Sequence, residues 1–146
     1  MAAAKGTVII TGANGGLGSA IAKQLVFRPE FVNYHGIYLV RDANSAAGLN
    51  SALATTSSHP HDVFSMDLTD LDSVRKTAEG INLRISAGSI PQIKTLILNA
   101  GTWTKDGFDT TFSANYLGHW LLTMLLLESM DKESGRIVLV GSQAHE

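Results

Sequence analysis

Cysteine is absent from all 146 residues of the chain, which excludes disulfide bonds and metal sites built on thiolates. The net charge is only −2 at pH 7, so composition gives no reason to expect a nucleic acid or an anionic membrane as partner. The amino terminus lacks the long apolar core of a signal peptide, and we expect a cytoplasmic protein. The most hydrophobic stretch, residues 116–127, is shorter than the roughly 20 residues needed to span a bilayer, so no membrane span is expected.

A glycine-rich stretch near the amino terminus is the most informative local pattern. Residues 11–18 read Thr-Gly-Ala-Asn-Gly-Gly-Leu-Gly, after an apolar run at 7–10 and before a helical pattern that continues to about Phe27. A strand, a glycine turn and a helix in this order are typical of loops that bind the pyrophosphate of a dinucleotide. Glycine permits the tight turn, the approach of phosphates to the backbone and close helix–strand packing. A glycine-rich turn with no ligand is the alternative.

Apolar runs and helical patterns alternate along the rest of the chain. Further strands are predicted at 36–40, 62–66, 94–98 and 136–140. Between them we predict a weak helix at 44–55, a helix that begins after Asp70 as its N-cap, and a long helix at 109–130, while the breakers at 80–91 leave that region ambiguous. Length and alternation predict one α/β domain, 1–146, with a doubly wound, Rossmann-like parallel sheet of five strands in the order 3-2-1-4-5.

The long predicted helix is apolar on almost every side in its second half. Such a helix is usually buried on more than one side, so we expect it to contact the sheet and also a neighbouring helix or subunit. A homodimer or homotetramer through this helix is therefore one hypothesis. His119 lies on it among apolar residues and is interpreted as a packed histidine rather than a ligand.

In a doubly wound sheet, ligands bind beyond the carboxyl ends of the strands. The second strand ends at Arg41, whose guanidinium suits a ribose 2′-phosphate, which favours NADP(H) over NAD(H). The adjacent Asp42 is interpreted as a cap or loop residue. The third strand leads to Asp67, whose carboxylate either accepts a hydrogen bond from an adenine amino group or caps the next helix.

The later strand ends also carry candidate residues. The fourth strand leads into Asn99, Ala100 and Gly101, small residues that let the backbone pass close to a cofactor or that form a plain turn. Ser142 follows the fifth strand, and its hydroxyl either faces the same crevice or caps a helix. Asn115 stands among apolar neighbours on the long helix, where a satisfied structural asparagine is the alternative to a functional one.

These motifs occur in a fixed order. They are Thr-Gly-x-x-x-Gly-x-Gly at 11–18, Arg-Asp at 41–42, Asp-Leu-Thr-Asp at 67–70, Leu-Asn-Ala-Gly at 98–101, Asp-Gly-Phe at 106–108, Asn-Tyr-Leu-Gly-His at 115–119 and Arg-Ile-Val-x-Val-x-Ser-x-Ala-His at 136–145. In combination they resemble the retinol-dehydrogenase-like branch of the short-chain dehydrogenases, over essentially the whole chain.

The resemblance implies an oxidoreductase that transfers a hydride between NADP(H) and a carbonyl or alcohol substrate, which in this branch is bulky and apolar. It implies that Ser142 is the catalytic serine, which orients the substrate oxygen, and that Asn115 holds a water of the proton relay. It also implies cofactor-binding residues: Gly12, Asn14, Gly16, Leu17 and Gly18 for the pyrophosphate side, Arg41 for the 2′-phosphate, Asp67 and Leu68 for the adenine, and Asn99, Ala100 and Gly101 for the ribose and nicotinamide side.

One part of the family pattern is missing, namely the acid/base pair Tyr-x-x-x-Lys downstream of the serine. Neither Tyr34, Tyr38 nor Tyr116 is followed four residues later by lysine. A phenol with a pKa of about 10 acts as a base near neutrality only where neighbouring positive charge lowers that pKa. We therefore expect a cofactor-binding portion truncated after strand five, inactive alone, whose fifth strand is covered by a missing part or a partner.

Other functions suit these residues less well. A non-catalytic NADP-binding sensor or regulatory module is the runner-up. A methyltransferase using S-adenosylmethionine is disfavoured because an acidic residue should stand where Arg41 does. Ser142 and His145 lack the Gly-x-Ser-x-Gly context of a hydrolase. His59 and His61 flank a proline in a polar loop without further ligands, so no metal site is expected.

Overall fold

The computed structural model describes residues 4–54, 59–104 and 108–143 of the chain. Within them, five strands form one parallel sheet in the order β3-β2-β1-β4-β5. The strands are β1 (Thr7–Thr11), β2 (His35–Val40), β3 (His61–Ser65), β4 (Ile93–Leu98) and β5 (Arg136–Leu139). The predicted architecture, a Rossmann-like sheet in the order 3-2-1-4-5, is confirmed.

Helices connect the strands in the order expected for a doubly wound sheet. They are α1 (Gly16–Phe27), α2 (Ala47–Leu53), α3 (Leu71–Ser86), α4 (Phe108–Phe112) and α5 (Gly118–Leu126). A π-helical turn, Ser113–Leu117, joins α4 to α5, so that residues 108–126 form one long helix with a widened turn inside it. Short 3₁₀ turns lie at Ala43–Ser45 and Leu127–Ser129.

Alternate residues of the inner strands point into two apolar cores, one on each face of the sheet. Ile9 of β1 packs with residues of α3 and α5, whereas its neighbours Val8 and Ile10 pack with residues of α1 and α2. Strands buried on both faces explain why these segments are continuous apolar runs rather than alternating patterns. The two cores hold the carboxyl ends of β1 to β4 at one edge of the sheet.

Three helices differ from their predicted extents. The long helix predicted at 109–130 ends at Leu126 and is followed by a 3₁₀ turn. Helix α3 continues through Gly80 to Ser86, and Gly88 then takes a left-handed conformation with a φ of +70° just beyond the helix end. The weak helix predicted at 44–55 divides into a 3₁₀ turn and α2, which ends at Leu53. Its predicted end at 55 lies outside the described residues.

The long helix is buried on one side only. Leu122 and Leu126 are fully buried against the sheet and α3. The opposite side exposes an apolar stripe whose members are 38–57% exposed: Phe112, Tyr116, Trp120, Met124 and Leu127. The expected contacts with the sheet and with a neighbouring helix, α3, are therefore present, whereas no described element of this chain covers the stripe. Strand β5 is an exposed edge strand, and among the described helices none is long and apolar enough to cross a membrane.

Candidate cofactor-binding cleft

The carboxyl ends of β1 to β4 border an open cleft of about 560 Å³. Every residue that the sequence predicted to bind a cofactor lines this cleft: Gly12, Asn14, Gly16, Leu17, Gly18, Arg41, Asp67, Leu68, Asn99, Ala100 and Gly101. The two predicted catalytic residues, Asn115 and Ser142, are not part of its lining. The sheet thus brings together residues from four separate strand ends, as the rule for doubly wound folds predicts.

Two glycines of the loop are required by the packing of the chain itself. Gly12 has a φ of +65°, and a Cβ there would lie 2.7 Å from the Cα of Ala100. A Cβ on Gly18 would collide with the carbonyl oxygen of Gly12. Side chains at these positions would push the first turn away from β4 or strain the backbone.

Gly16 is different, since a Cβ on it would meet nothing within 4 Å. It is the first residue of α1, whose N-cap, Gly15, makes no side-chain capping bond and whose first turn has no acidic residue. Amide groups at an uncapped helix start attract an anion, because they lack partners and carry the positive end of the helix dipole. Open space at Gly16 together with uncapped amides fits a dinucleotide pyrophosphate.

Arg41 lies exposed in the cleft at the end of β2. The carboxylate beside it, that of Asp42, accepts hydrogen bonds at 2.9 Å from the backbone N–H of Asn44 and from the hydroxyl of Ser45. These bonds hold the pKa of Asp42 below its usual value and cap the 3₁₀ turn. The interpretation of Asp42 as a capping residue is confirmed.

Asp67 uses its carboxylate to close a turn. Its Oδ1 accepts hydrogen bonds from the hydroxyl of Thr69 at 2.7 Å and from the N–H of Thr69 at 2.8 Å. These two bonds hold the pKa of Asp67 below its usual value. Helix α3 is capped instead by Asp70, whose Oδ1 accepts from the N–H of Asp72 at 3.0 Å. The alternative that Asp67 caps the helix is therefore wrong, and the prediction for Asp70 is confirmed.

Asn14 connects the glycine loop to α2. Its Oδ1 accepts a hydrogen bond from the N–H of Leu49 in the first turn of that helix, at 3.1 Å. Gly48 permits this contact, because a Cβ there would lie 2.7 Å from the carbonyl oxygen of Asn14. The side chain thus acts as a cap supplied from outside the helix, a structural role that was not predicted.

The loop after β4 is bound to the end of β1. The side-chain amide of Asn99 donates to the carbonyl oxygens of Thr11 at 3.1 Å and of Gly12 at 3.3 Å. The hydroxyl oxygen of Thr11 accepts from the N–H groups of Asn99 and Ala100, both at 3.0 Å. The backbone of this loop therefore has a fixed position against the glycine loop.

Asn115 lies in the π turn, beside the cleft rather than in its lining. Its side chain pairs with the backbone of Thr102, accepting from the N–H at 2.8 Å and donating to the carbonyl oxygen at 2.9 Å. Thr102 itself lines the cleft. The residue is exposed rather than surrounded by apolar neighbours, and its amide holds the rim of the cleft.

Ser142 follows β5 and is exposed. It lies outside the cleft lining, and β5 is an edge strand separated from β1 by β4. His145, considered with it as a hydrolase pair, lies outside the described residues. The catalytic role of Ser142 stays a prediction.

Sequence reasoning missed the contacts of two histidines. His119 is 6% exposed; its Nε2 lies 2.8 Å from the hydroxyl oxygen of Thr11 and its Nδ1 lies 3.3 Å from the carbonyl oxygen of Asn115. Its place four residues after Asn115 in the Asn-Tyr-Leu-Gly-His motif was the available signal. Burial lowers the pKa of His119.

His59 lies in the loop before β3, as predicted, but its side chain is buried: it is 7% exposed, and its Nε2 pairs with the hydroxyl of Tyr38 at 2.9 Å. Gly36 makes the necessary space, because a Cβ there would lie 2.7 Å from that ring nitrogen. His61, predicted in the same loop, is the first residue of β3. No group of three or more His, Cys, Asp or Glu residues in the described part of the chain is placed to hold a metal ion.

Comparisons with known proteins agree with this architecture. The family model for short chain dehydrogenases matches residues 6–146. Short-chain dehydrogenase iccH of Talaromyces variabilis is 49% identical over 155 residues, which cover 97% of this chain and 42% of that protein. Retinol dehydrogenase 12 of Homo sapiens is 38% identical over 145 residues, covering 94% and 43%. The chain thus spans less than half the length of these relatives.

Among solved structures, a metagenomic short-chain oxidoreductase crystallised in complex with NADP superimposes with a TM-score of 0.75. It shares 21% sequence identity, and the match covers 99% of this chain and 65% of that one. At this identity the likeness concerns the fold.

Proposed function

This chain belongs to the short-chain dehydrogenase family, and we propose that it binds NADP(H) as the cofactor-binding part of an oxidoreductase acting on a carbonyl or alcohol substrate. The observation that carries the proposal is the meeting, in one cleft, of the glycine loop with the residues that end β2, β3 and β4. Ligands of doubly wound sheets bind at this edge, next to the strand at which the order of the sheet reverses.

Support for the pyrophosphate comes from the start of α1. The loop keeps Gly12 and Gly18 for its own packing, whereas Gly16 faces open space, so its lack of a side chain serves no internal contact. A phosphate there would receive hydrogen bonds from uncapped backbone amides. We infer that the pyrophosphate lies against residues 15–18.

Support for NADP(H) over NAD(H) comes from Arg41 and from the engagement of its acidic neighbour. The carboxylate of Asp42 is occupied by Asn44 and Ser45, whereas the guanidinium of Arg41 lies exposed in the cleft. A guanidinium binds a 2′-phosphate with charge-assisted, two-pronged hydrogen bonds. The solved neighbour in complex with NADP is consistent with this preference.

The nicotinamide, when bound, would supply or accept the hydride. This chain would contribute the fixed backbone of residues 99–102 beside it, with Asn115 holding Thr102 and Ser142 orienting the substrate oxygen. None of its tyrosines precedes a lysine by four residues, and burial raises the pKa of Tyr38 further above its usual value. We propose that the chain alone binds the cofactor without turning over substrate.

We also propose a class of substrate and a mode of assembly. Likeness to retinol dehydrogenase 12 favours a bulky, apolar carbonyl or alcohol. The stripe on the long helix exposes five large apolar side chains along one face, and exposed apolar patches of this kind commonly mark contact surfaces. We propose that it is a contact surface in a homodimer or homotetramer, or for further polypeptide; sedimentation of the purified chain distinguishes an assembled from a monomeric state.

Titration calorimetry with NADPH and NADH tests the proposed function. We expect the wild-type chain to bind both, NADPH more tightly. Gly16→Val should abolish dinucleotide binding, because the new side chain would occupy the space proposed for the phosphates. It should preserve the fold, because it would contact no other part of the chain. Gly80→Val, which also points into open space but on α3, is the matched control and should bind as wild type. No binding by the wild-type chain, or unchanged binding by Gly16→Val, would contradict the proposal.

A further inference from the structure

The hydroxyl of Thr11 is fully engaged by three partners. The N–H groups of Asn99 and Ala100 both donate to its oxygen, and this uses the two acceptor positions that a hydroxyl has. The third partner, Nε2 of His119 at 2.8 Å, must therefore receive the hydroxyl proton. Thr11 is completely buried, so no water replaces these bonds.

The direction of that bond fixes the tautomer of His119. Nε2 is an acceptor and carries no proton, so the proton of the neutral ring is on Nδ1. Nδ1 can then donate to the carbonyl oxygen of Asn115, 3.3 Å away. Both ring nitrogens are paired, with opposite roles, in a nearly buried side chain. Protonated His119 could not accept from Thr11, and burial disfavours that form by lowering its pKa.

The chain of bonds continues to the rim of the cleft. Asn115 accepts from His119 with its backbone and holds both backbone groups of Thr102 with its side chain. The loop after β4 is therefore held twice, by Thr11 at its first residues and by Asn115 at Thr102. His119 is the side chain that connects the two holding residues.

We propose that His119 is a positioning residue of the cofactor site, which sets the loop 99–102 relative to the glycine loop through Thr11 and Asn115. The proposal rests on the proposed binding of NADP(H). His119 does not line the cleft, so it acts through other residues and not by contact with the cofactor. The two directed hydrogen bonds distinguish His119 from a side chain that only fills space, because an apolar side chain would fill the same volume without making either bond.

Three substitutions separate the two bonds. In His119→Gln the side-chain oxygen can replace Nε2 as acceptor for Thr11, whereas in His119→Asn the amide can replace Nδ1 as donor to Asn115. His119→Phe removes both bonds and keeps a ring. We expect His119→Phe to bind NADPH about tenfold more weakly than the wild-type chain does. His119→Gln and His119→Asn should each bind NADPH about threefold more weakly, because each keeps one of the two bonds.

Stability is separated from positioning by Tyr38→Phe. This control also removes one buried hydrogen bond to a histidine, His59, but outside the cleft. We expect Tyr38→Phe to lower the free energy of unfolding about as much as His119→Gln or His119→Asn does, because each removes one buried hydrogen bond. Its affinity for NADPH should equal that of the wild-type chain. Unchanged NADPH affinity in all three His119 variants, or equal weakening in Tyr38→Phe, would overturn the positioning role.

A measurement without any dinucleotide tests the hydrogen-bond chain itself. In ¹⁵N-histidine spectra of the wild-type chain, Nδ1 of His119 should have the shift of a protonated nitrogen and Nε2 that of an unprotonated one. The opposite pattern would overturn the proposal even if NADPH binds. If the wild-type chain shows the expected tautomer but binds no dinucleotide, the proposed function fails and the positioning role fails with it, while the bond chain stands as structure.

Discussion

The backbone of Gly118 lies against the carbonyl oxygen of Leu68 so closely that a Cβ at position 118 would collide with it. Gly118 is the first residue of α5, and Leu68 lines the cleft after β3. The contact lets the long helix approach the strand ends, which brings His119 and Asn115 beside the loop that follows β4. One missing methyl group thus determines the position of two side chains that support the site.

We expect Gly118→Ala to destabilise the protein by about 1–3 kcal/mol, the usual cost of forcing extra volume into a packed interface. Urea unfolding monitored by circular dichroism measures the change. Gly80→Ala is the control: it lies within α3 and its Cβ would meet nothing, so alanine should be stabilising by about 0.5–1 kcal/mol. Equal effects of the two substitutions would mean that the Leu68 contact is not tight.

Arg41→Ala should weaken NADPH binding about 10- to 100-fold, since hydrogen bonds to charged groups contribute about 1.5–3 kcal/mol each. NADH, which lacks the 2′-phosphate, should bind the variant as it binds the wild type. Arg75→Ala makes the same charge change on α3, outside the cleft, and should leave both affinities unchanged. Calorimetry at two salt concentrations measures the NADPH and NADH affinities of the wild-type chain and both variants. An equal loss of NADPH and NADH affinity in Arg41→Ala would contradict a role for Arg41 in binding the 2′-phosphate.

Two substitutions at Asn14 should separate its structural role from its predicted binding role. Asn14→Ala removes the acceptor for the N–H of Leu49 and should lower the free energy of unfolding by about 1 kcal/mol, the usual value of a helix cap. Asn14→Asp keeps an acceptor oxygen, so stability should be retained, but its negative charge would repel a pyrophosphate. Thermal unfolding and NADPH titration of both variants are the measurements; tight NADPH binding by Asn14→Asp would place the phosphates elsewhere.

The stability of the fold should decrease in mild acid because of His59. Burial, together with the nearby His61 and His35, lowers the pKa of His59 to about 4, below the unfolded value of about 6.5. As the pH falls, the unfolded state therefore binds a proton at His59 before the folded state does. The contribution of neutral His59 to the free energy of unfolding is complete above pH 6.5 and is lost as the pH falls towards 4. The loss is about 3 kcal/mol at most.

Urea unfolding at several pH values between 4 and 7 measures this dependence. His59→Gln offers an acceptor to the hydroxyl of Tyr38 but does not titrate. Its unfolding free energy should change less over that range than that of the wild type. An identical slope in both proteins would assign the acid sensitivity to other groups.

Strands and strand-end residues could be predicted because each depends on local signals. Apolar runs such as 36–40 mark strands buried on both faces, and parallel topology then places their last residues at one edge, which is why Arg41, Asp67 and Asn99 were found without knowledge of contacts. Helix caps such as Asp70 follow from the chemistry of one side chain and the next amides.

The remaining features depend on contacts between distant segments. The burial of His59 requires the space left by Gly36, and the engagement of Asn14 requires the close approach of Gly48. The π turn at 113–117 has no propensity signal, and it arises within a helix that must meet both the sheet and the loop after β4. The partners of His119 lie 4 and 108 residues away, and no periodicity reveals the longer of these distances.

Those sequence distances impose an order of events on the folding of a newly made chain. The glycine motif is synthesised before the partners that hold Thr11, which follow 88, 89 and 108 residues later. Contacts of such separation form late, because closing the intervening loop costs entropy before any bond is made. Thr11 of the glycine motif can therefore complete its hydrogen bonds only after residue 119 has been made and a chain separation of 108 residues has been closed.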